Sequence, residues 1–216
     1  MKKYFYVLFG FFVFTLTFYS LKVEAIMPLT GKKIIIDPGH GAEDPGTSYG
    51  NLYEKDINLS ISLYLEKILG SLGAEVLLTR NGDYDLSSPN ALYRKKSDFD
   101  NRIKMINESN SDIYISIHLN YLSDSAYSGP QVFYNKENEN LAKIIQNNLN
   151  NYTKGTRKIK KIPQDTYMYN KLQISGVLIE CGFLSNPRER NLLKSHDYQK
   201  ELAKSIAKGI LQYFSN

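Results

Sequence analysis

The apolar positions of this chain follow two alternating rhythms. Ile34-Ile35-Ile36 is an unbroken β-branched run of the kind that fills a strand buried on both faces. It stops at Pro38, which cannot donate to a ladder, and Gly39 and Gly41 loosen the backbone on either side of His40. Residues 42–53 are rich in Gly, Pro, Ser and Asn and read as a loop too polar for the core. The period then becomes helical: Ile57, Ile61, Tyr64, Leu65, Ile68 and Leu72 share a face, with Asp56 as N-cap and Gly73 as the stop. Glu75 to Thr79 returns to a strand, so residues 33–79 predict strand, helix, strand, the pattern of a parallel crossover.

The alternation continues. Leu92 to Glu108 predicts a helix with Phe99, Ile103 and Ile106 inward, and Ile113 to His118 a strand. Gln131 to Tyr134 predicts a short strand after the Gly129-Pro130 turn, and Glu139 to Leu149 a helix with Leu141, Ile144, Ile145 and Leu149 on one face. Gly176 to Glu180 is another apolar strand. Asn186 reads as the N-cap of the next helix, with Pro187 at its first position and Glu189 reaching back to the cap. A last helix turns Leu202, Ile206, Ile210 and Tyr213 inward. The fold class is therefore α/β: one domain, residues 26–216, with a twisted, mostly parallel sheet flanked by helices.

The N-terminus obeys a different logic. Lys2 and Lys3 precede an uncharged apolar run from Tyr4 to Leu21, and Val23-Glu24-Ala25 offers small residues around a cleavage point. Residues 1–25 predict a secretory signal or, uncleaved, a membrane-anchoring helix. Either one places residues 26–216 outside the cytoplasm, with membrane contact through the N-terminal segment.

Composition narrows the function classes. The 216 residues are 42% hydrophobic and 23% charged, an ordinary globular balance. The net charge of +5 falls to +3 when Lys2, Lys3, Lys22 and Glu24 are removed with the leader. That is too weakly basic for a nucleic-acid partner and suits an anionic wall or membrane surface. Cys181 is the single cysteine, which excludes an intrachain disulfide and a cysteine-rich metal site.

The candidate chemistry lies where the apolar strands end. The first runs out before His40, the second at His118 and the third at Glu180, and a parallel sheet gathers all three at one edge. His118 shares a strand face with Tyr114 and Ser116. Two histidines and a carboxylate at one rim point to a divalent metal such as Zn²⁺, held by nitrogen and oxygen ligands with a position open to water. Glu54 is the candidate third ligand, although spacing alone favours a solvated glutamate at a helix start, helped by the helix dipole. Glu180 closes the run Val177-Leu178-Ile179, where a carboxylate is costly unless paired or functional, so it reads as a general base or a salt-bridged structural acid. Cys181 reads as buried filler, His196 as surface, and the basic run from Lys154 to Lys161 as a solvated face.

These segments resemble the zinc-dependent N-acetylmuramoyl-L-alanine amidases of bacterial cell-wall metabolism. The resemblance rests on Ile36-Asp37-Pro38-Gly39-His40-Gly41, Glu54-Lys55, Thr79-Arg80, Ser116-Ile117-His118-Leu119-Asn120 and Val177 to Asn186, in the family's order, over about residues 32–215. It implies that His40, Glu54 and His118 ligate zinc and that Glu180 is the catalytic glutamate. It implies a peptidoglycan substrate, cut between the lactyl group of N-acetylmuramic acid and L-alanine of the stem peptide. Only Tyr121 to Ser128 separates Asn120 from Gly129, which leaves no room for the autoinhibitory helix of some relatives. The compact layout is similar to the sporulation-associated branch, which prepares spore cortex for muramic-δ-lactam formation, and implies an activating or targeting protein partner. Two other readings compete: a zinc carboxypeptidase trimming stem peptides, and an inactive wall-binding module acting through a partner.

Overall fold

A computed structural model describes residues 27–135 and 138–215; the predicted leader, residues 1–25, lies outside the described residues. Among the described residues no helix is long and apolar enough to cross a membrane.

The Ile34 to Ile36 run forms the middle of β1 (Lys33–Pro38), and all three side chains are fully buried. Each contributes about 1.5–3 kcal/mol by leaving water. The stretch over residues 42–53, read as a plain loop, contains a small antiparallel pair, β2 (Ser48–Tyr49) and β3 (Leu52–Tyr53). Helix α1 (Glu54–Ser71) follows, then β4 (Glu75–Leu78) and α2 (Arg94–Glu108). β5 (Ile113–Asn120), β6 (Gln131–Tyr134), α3 (Glu139–Thr153) and the two-residue β7 (Lys160–Lys161) come next. The chain closes with β8 (Gly176–Phe183), α4 (Pro187–Leu193) and α5 (His196–Ser215).

Six strands form one sheet in the order β4-β1-β5-β8-β6-β7. β4, β1, β5 and β8 run parallel, while β6 is antiparallel to β8. Alternation along the strands divides the core. Ile34, Ile36, Ile113, Ile115, Ile117, Val177 and Ile179 pack with Ile57, Ile61, Leu65, Ile145, Leu149, Leu202 and Ile206 of α1, α3 and α5. Ile35 and Tyr114 face the other way, onto Ile106 of α2 and onto Ile162, Met168, Tyr169 and Leu172 of the segment before β8. The central strands are thus covered on both faces, as their continuous apolar runs require.

Three local expectations are corrected. α1 begins at Glu54, so Asp56 lies in its first turn and does not cap it. The cap position falls on Tyr53, because β3 runs straight into the helix and Glu54 N–H donates to Thr47 O at 2.9 Å. α2 starts at Arg94, leaving Leu92 87% exposed. Glu189 does not reach back to Asn186: its two oxygens accept from Gly129 N–H at 2.7 Å and Phe183 N–H at 2.8 Å, tying the β5–β6 loop to the end of β8. Asn186 caps α4 unaided, accepting from Arg188 and Glu189 N–H. The Gly73 stop is as expected. Gly73, at φ +95, and Ala74 donate to Gly70 O and Leu69 O, closing α1 with a Schellman pair of hydrogen bonds.

Beneath the loop after β1 lies a buried ion pair. Arg102 of α2 meets Asp37 at 2.7 Å and Asp98 at 2.9 Å. Burial alone would raise the Asp37 carboxyl, but Arg102's charge and the Thr79 hydroxyl hold it below its ordinary 3.8. Arg102→Met should cost about 3–5 kcal/mol, because it leaves a buried carboxylate without its cation. Asp37 is depressed, so its share of stability is present above its unfolded pKa and lost as pH falls through the lower folded value. Denaturant titrations should therefore show a large gap between parent and variant near neutrality that narrows in acid; equal midpoints at neutral pH would contradict this account.

Candidate metal centre

The loop after β1 is shaped by its carbonyls. Pro38 O accepts from Arg80 Nε at 2.9 Å and Arg102 Nη1 at 2.8 Å. Gly39 O accepts from Arg80 Nη2 at 2.9 Å, and His40 O from Arg102 Nη2 at 2.7 Å. Two buried guanidiniums thus hold three successive carbonyls, and His40 is fixed at φ +65, in the left-handed region that a non-glycine residue rarely occupies. The conformation aims the imidazole back over the sheet edge. Its Nδ1 meets Asp44 Oδ2 at 2.9 Å and its Nε2 lies 3.2 Å from Glu54 Oε1.

His118 arrives from the adjacent strand β5, and its Nδ1 lies 2.9 Å from the same Glu54 oxygen. The rings of His40 and His118 stand edge to face with centroids 5.0 Å apart. Glu54 is 3% exposed and fixed from several sides: Leu119 N–H donates to Oε1 at 3.0 Å, Thr47 N–H to Oε2 at 2.8 Å, and Asn58 Nδ2 to Oε1 at 3.2 Å. Its place at the start of α1 therefore does not leave it in solvent. One ligand atom from each of His40, Glu54 and His118 lies within 4.8 Å of the others.

The electrostatics favour positive charge at this point. Burial opposes ionisation of Glu54, yet the His118 and His40 hydrogen bonds hold it well below the usual carboxylate range. Burial also opposes a charged His40, but Asp44 and Glu54 raise it to about 9. Two imidazoles and a carboxylate aimed at one another fit a divalent cation, and the set is one that zinc takes in catalytic sites. The contact between His40 Nδ1 and Asp44 is the outer carboxylate partner that such histidines usually carry.

Glu180 sits on β8 directly opposite His118 in the β5–β8 register. Its Oε2 is buried and has no hydrogen-bond partner among the described residues. Burial pushes its carboxyl up to about 8, Glu54's charge adds to the push, and His40 opposes it. It is not the salt-bridged structural acid that its sequence position also allowed: no described cation pairs with it. A buried, unpaired carboxyl held near neutral pKa can both accept and return a proton. Beside the histidines, a cavity of about 120 Å³ is walled by Phe99, Tyr167, Met168 and Tyr169.

The remaining sequence candidates lie elsewhere. Cys181 is fully buried in the core on the helix-packed face, and His196 is exposed at the start of α5. Of the basic run, Lys154, Arg157, Lys158 and Lys160 line a broad surface groove with Arg188 and Tyr127. Sequence reasoning missed Asp44, Asn58 and Tyr169. The spacing of Asp44 four residues after His40 was an available signal; Tyr169, among several loop tyrosines, carried none.

Gly39 reports on how tightly the centre is built. A Cβ there would lie 2.1 Å from His118 Cε1, so an alanine must displace the ring. Gly39→Ala should cost on the order of 10²-fold in kcat/KM through misplaced geometry. Steady-state kinetics on a variant that still unfolds cooperatively would check this, and parent-like kinetics would contradict it.

Comparison with known proteins adds an independent line. The N-acetylmuramoyl-L-alanine amidase family model matches residues 34–212. The chain is 44% identical over 196 residues to the germination-specific N-acetylmuramoyl-L-alanine amidase of Bacillus subtilis, covering 88% of this chain and 82% of that one. Its fold is similar to that of the CwlD amidase from Clostridioides difficile, solved in complex with the GerS lipoprotein. That match has a TM-score of 0.81 and 39% identity and covers 86% of this chain and 99% of the other. The catalytic domain of CwlV, an amidase from Bacillus (Paenibacillus) polymyxa var. colistinus, matches with a TM-score of 0.73 at 30% identity, over 85% of this chain and 98% of that one.

Proposed function

This chain belongs to the N-acetylmuramoyl-L-alanine amidase family, and we propose that its amidase centre is zinc held by His40, Glu54 and His118, with Glu180 moving the proton. The bond cut is the amide between the lactyl group of N-acetylmuramic acid and L-alanine of the stem peptide. What carries the metal assignment is two imidazole nitrogens converging on one buried carboxylate oxygen, at 2.9 and 3.2 Å. When bound, a cation of this kind supplies Lewis acidity, polarising the scissile carbonyl and acidifying water.

The chain's own residues do the rest. Asp44, Arg80 and Arg102 hold His40 and its loop in place, and Thr47, Asn58 and Leu119 fix the Glu54 carboxylate. Glu180 takes a proton from the attacking water as the new carbon–oxygen bond forms. It returns that proton to the amide nitrogen as the carbon–nitrogen bond breaks, so that L-alanine leaves with a free amino group. Its raised pKa suits both halves of the transfer.

We place this reaction outside the cytoplasm, in spore cortex, with residues 1–25 directing export. The germination-specific activity of the Bacillus subtilis relative supports the setting. The GerS lipoprotein bound to CwlD supports a protein partner for this chain too. The deciding experiment is mass spectrometry of cortex peptidoglycan digested by the zinc-loaded protein. Complete stem peptides with free L-alanine amino termini, and glycan with unsubstituted muramic acid, are expected. Shortened stems still attached to glycan would instead mark a carboxypeptidase, and an unchanged profile an inactive module. Cortex from cells lacking the protein should be depleted of muramic-δ-lactam; a normal content would refute the spore role.

A further inference from the structure

We propose that Asp37, Ser116 and Tyr169 form a hydrogen-bond relay that fixes the tautomer of His118 and makes Nδ1 its ligand atom; this rests on the metal reading above. The relay follows from counting protons. Asp37 is 1% exposed; its Oδ1 accepts from Thr79 and Arg102, each at 2.7 Å. Paired with a guanidinium, the carboxylate offers acceptors only. Ser116 Oγ donates to Asp37 Oδ2 at 2.9 Å, and its one longer alternative, at 3.4 Å, is the carbonyl of the same Asp37. A hydroxyl carries one proton, so toward Tyr169 Oη, 3.0 Å away, Ser116 can only accept.

Tyr169 therefore gives its own proton to Ser116. Toward His118 Nε2, 3.1 Å away, its oxygen can only accept. Nε2 must then carry a hydrogen, and the lone pair of the neutral ring is on Nδ1. Nδ1 is the nitrogen that faces Glu54 Oε1. The two histidines thus present opposite atoms: His40 anchors Nδ1 on Asp44 and offers Nε2, whereas His118 anchors Nε2 on Tyr169 and offers Nδ1.

The segment that delivers Tyr169 is built for the task. Asn135 Nδ2 donates to Tyr169 O at 3.2 Å, and Asn170 Nδ2 donates to Gln164 O at 2.7 Å and Thr166 O at 3.0 Å. Tyr169 itself is 7% exposed. It is a positioning residue, acting on the metal through His118 and touching no reacting atom.

The test is zinc affinity of the full chain, measured by competition with a chromophoric chelator, together with ¹⁵N imidazole spectra of the zinc-loaded parent. The parent should bind one zinc that His40→Ala loses, and its His118 should show Nε2 protonated and Nδ1 ligated. Tyr169→Phe keeps the ring but removes the acceptor, and should weaken zinc binding roughly 10–100-fold. Ser116→Ala leaves Tyr169 intact but frees its hydroxyl to donate to Nε2, favouring the wrong tautomer. It should weaken binding comparably, which a packing role for Tyr169 would not predict. If the parent binds its zinc through His40 yet shows Nε2 of His118 ligated, or both variants match the parent affinity, the relay is wrong and the metal site stands. If the parent binds no zinc, or His40→Ala retains it, the metal site falls and the relay with it.

Discussion

Glu180→Gln is expected to lower hydrolysis of peptidoglycan by roughly 10²–10⁴-fold while the metal stays bound. Glutamine has nearly the shape of glutamate, so the packing at the end of β8 survives. The change is one of proton chemistry: a neutral amide cannot take a proton from water or return it to a leaving nitrogen. Glu180 faces His118 across the β5–β8 register but shares none of the contacts that join His40, Glu54 and His118. Elemental analysis should therefore find metal at parent occupancy in a protein with almost no turnover. The reverse alternative is also readable. If Glu180 were only a buried structural acid, removing its charge would relieve a desolvated group and leave activity intact. Parent-like turnover would end the assignment.

Glu54→Gln should be more damaging and in a different way. Glu54 Oε1 is the point on which both imidazoles converge, and its negative charge makes that point attractive to a cation. The glutamine variant should lose its metal on dialysis and fall to the detection limit of a dye-release assay. Metal affinity should drop by more than the roughly 10–100-fold that losing an outer hydrogen-bond partner costs. Stability should fall as well, because Thr47 and Leu119 N–H both donate to this carboxylate, and an unsatisfied buried donor costs about 1–3 kcal/mol. Added zinc separates the two effects. A folded variant restored to parent activity by micromolar zinc would show that Glu54 only braces the loop.

The contrast between these residues shows what could be read in advance. The runs around Ile34–Ile36, Ile113–Ile117 and Val177–Ile179 are strands because they are apolar, β-branched and the right length to be covered on both faces. Parallel strands put their carboxyl ends at one edge, so His40, His118 and Glu180 were bound to meet once the strands were recognised. Glu54 was different. A glutamate at a helix start has an ordinary use there, and spacing alone did not separate that use from metal binding; only the tertiary neighbours Thr47, Asn58 and Leu119 show it turned inward.

Two of the local errors share one cause. Asp56 and Glu189 match the chemistry of helix caps, but a cap forms only if no better partner competes. At α1 the β3 strand reaches the helix first and sets its start at Glu54. At α4 two unpaired backbone donors, Gly129 and Phe183, claim the Glu189 carboxylate from residues 60 and 6 positions away.

The sequence by itself determined the strand–helix alternation and the sheet edge where His40, His118 and Glu180 gather, because burial pattern and turn chemistry are local properties of a chain. Only the tertiary structure decided the partners of each functional group: Asp44 on His40, Tyr169 on His118, Arg80 and Arg102 on the loop carbonyls, and, among the described residues, no hydrogen-bond partner on Glu180 Oε2. Those contacts join residues up to 64 positions apart, and a hydrogen bond's direction depends on which proton its neighbour has already used. No local pattern encodes that; it exists only when the whole set is brought together.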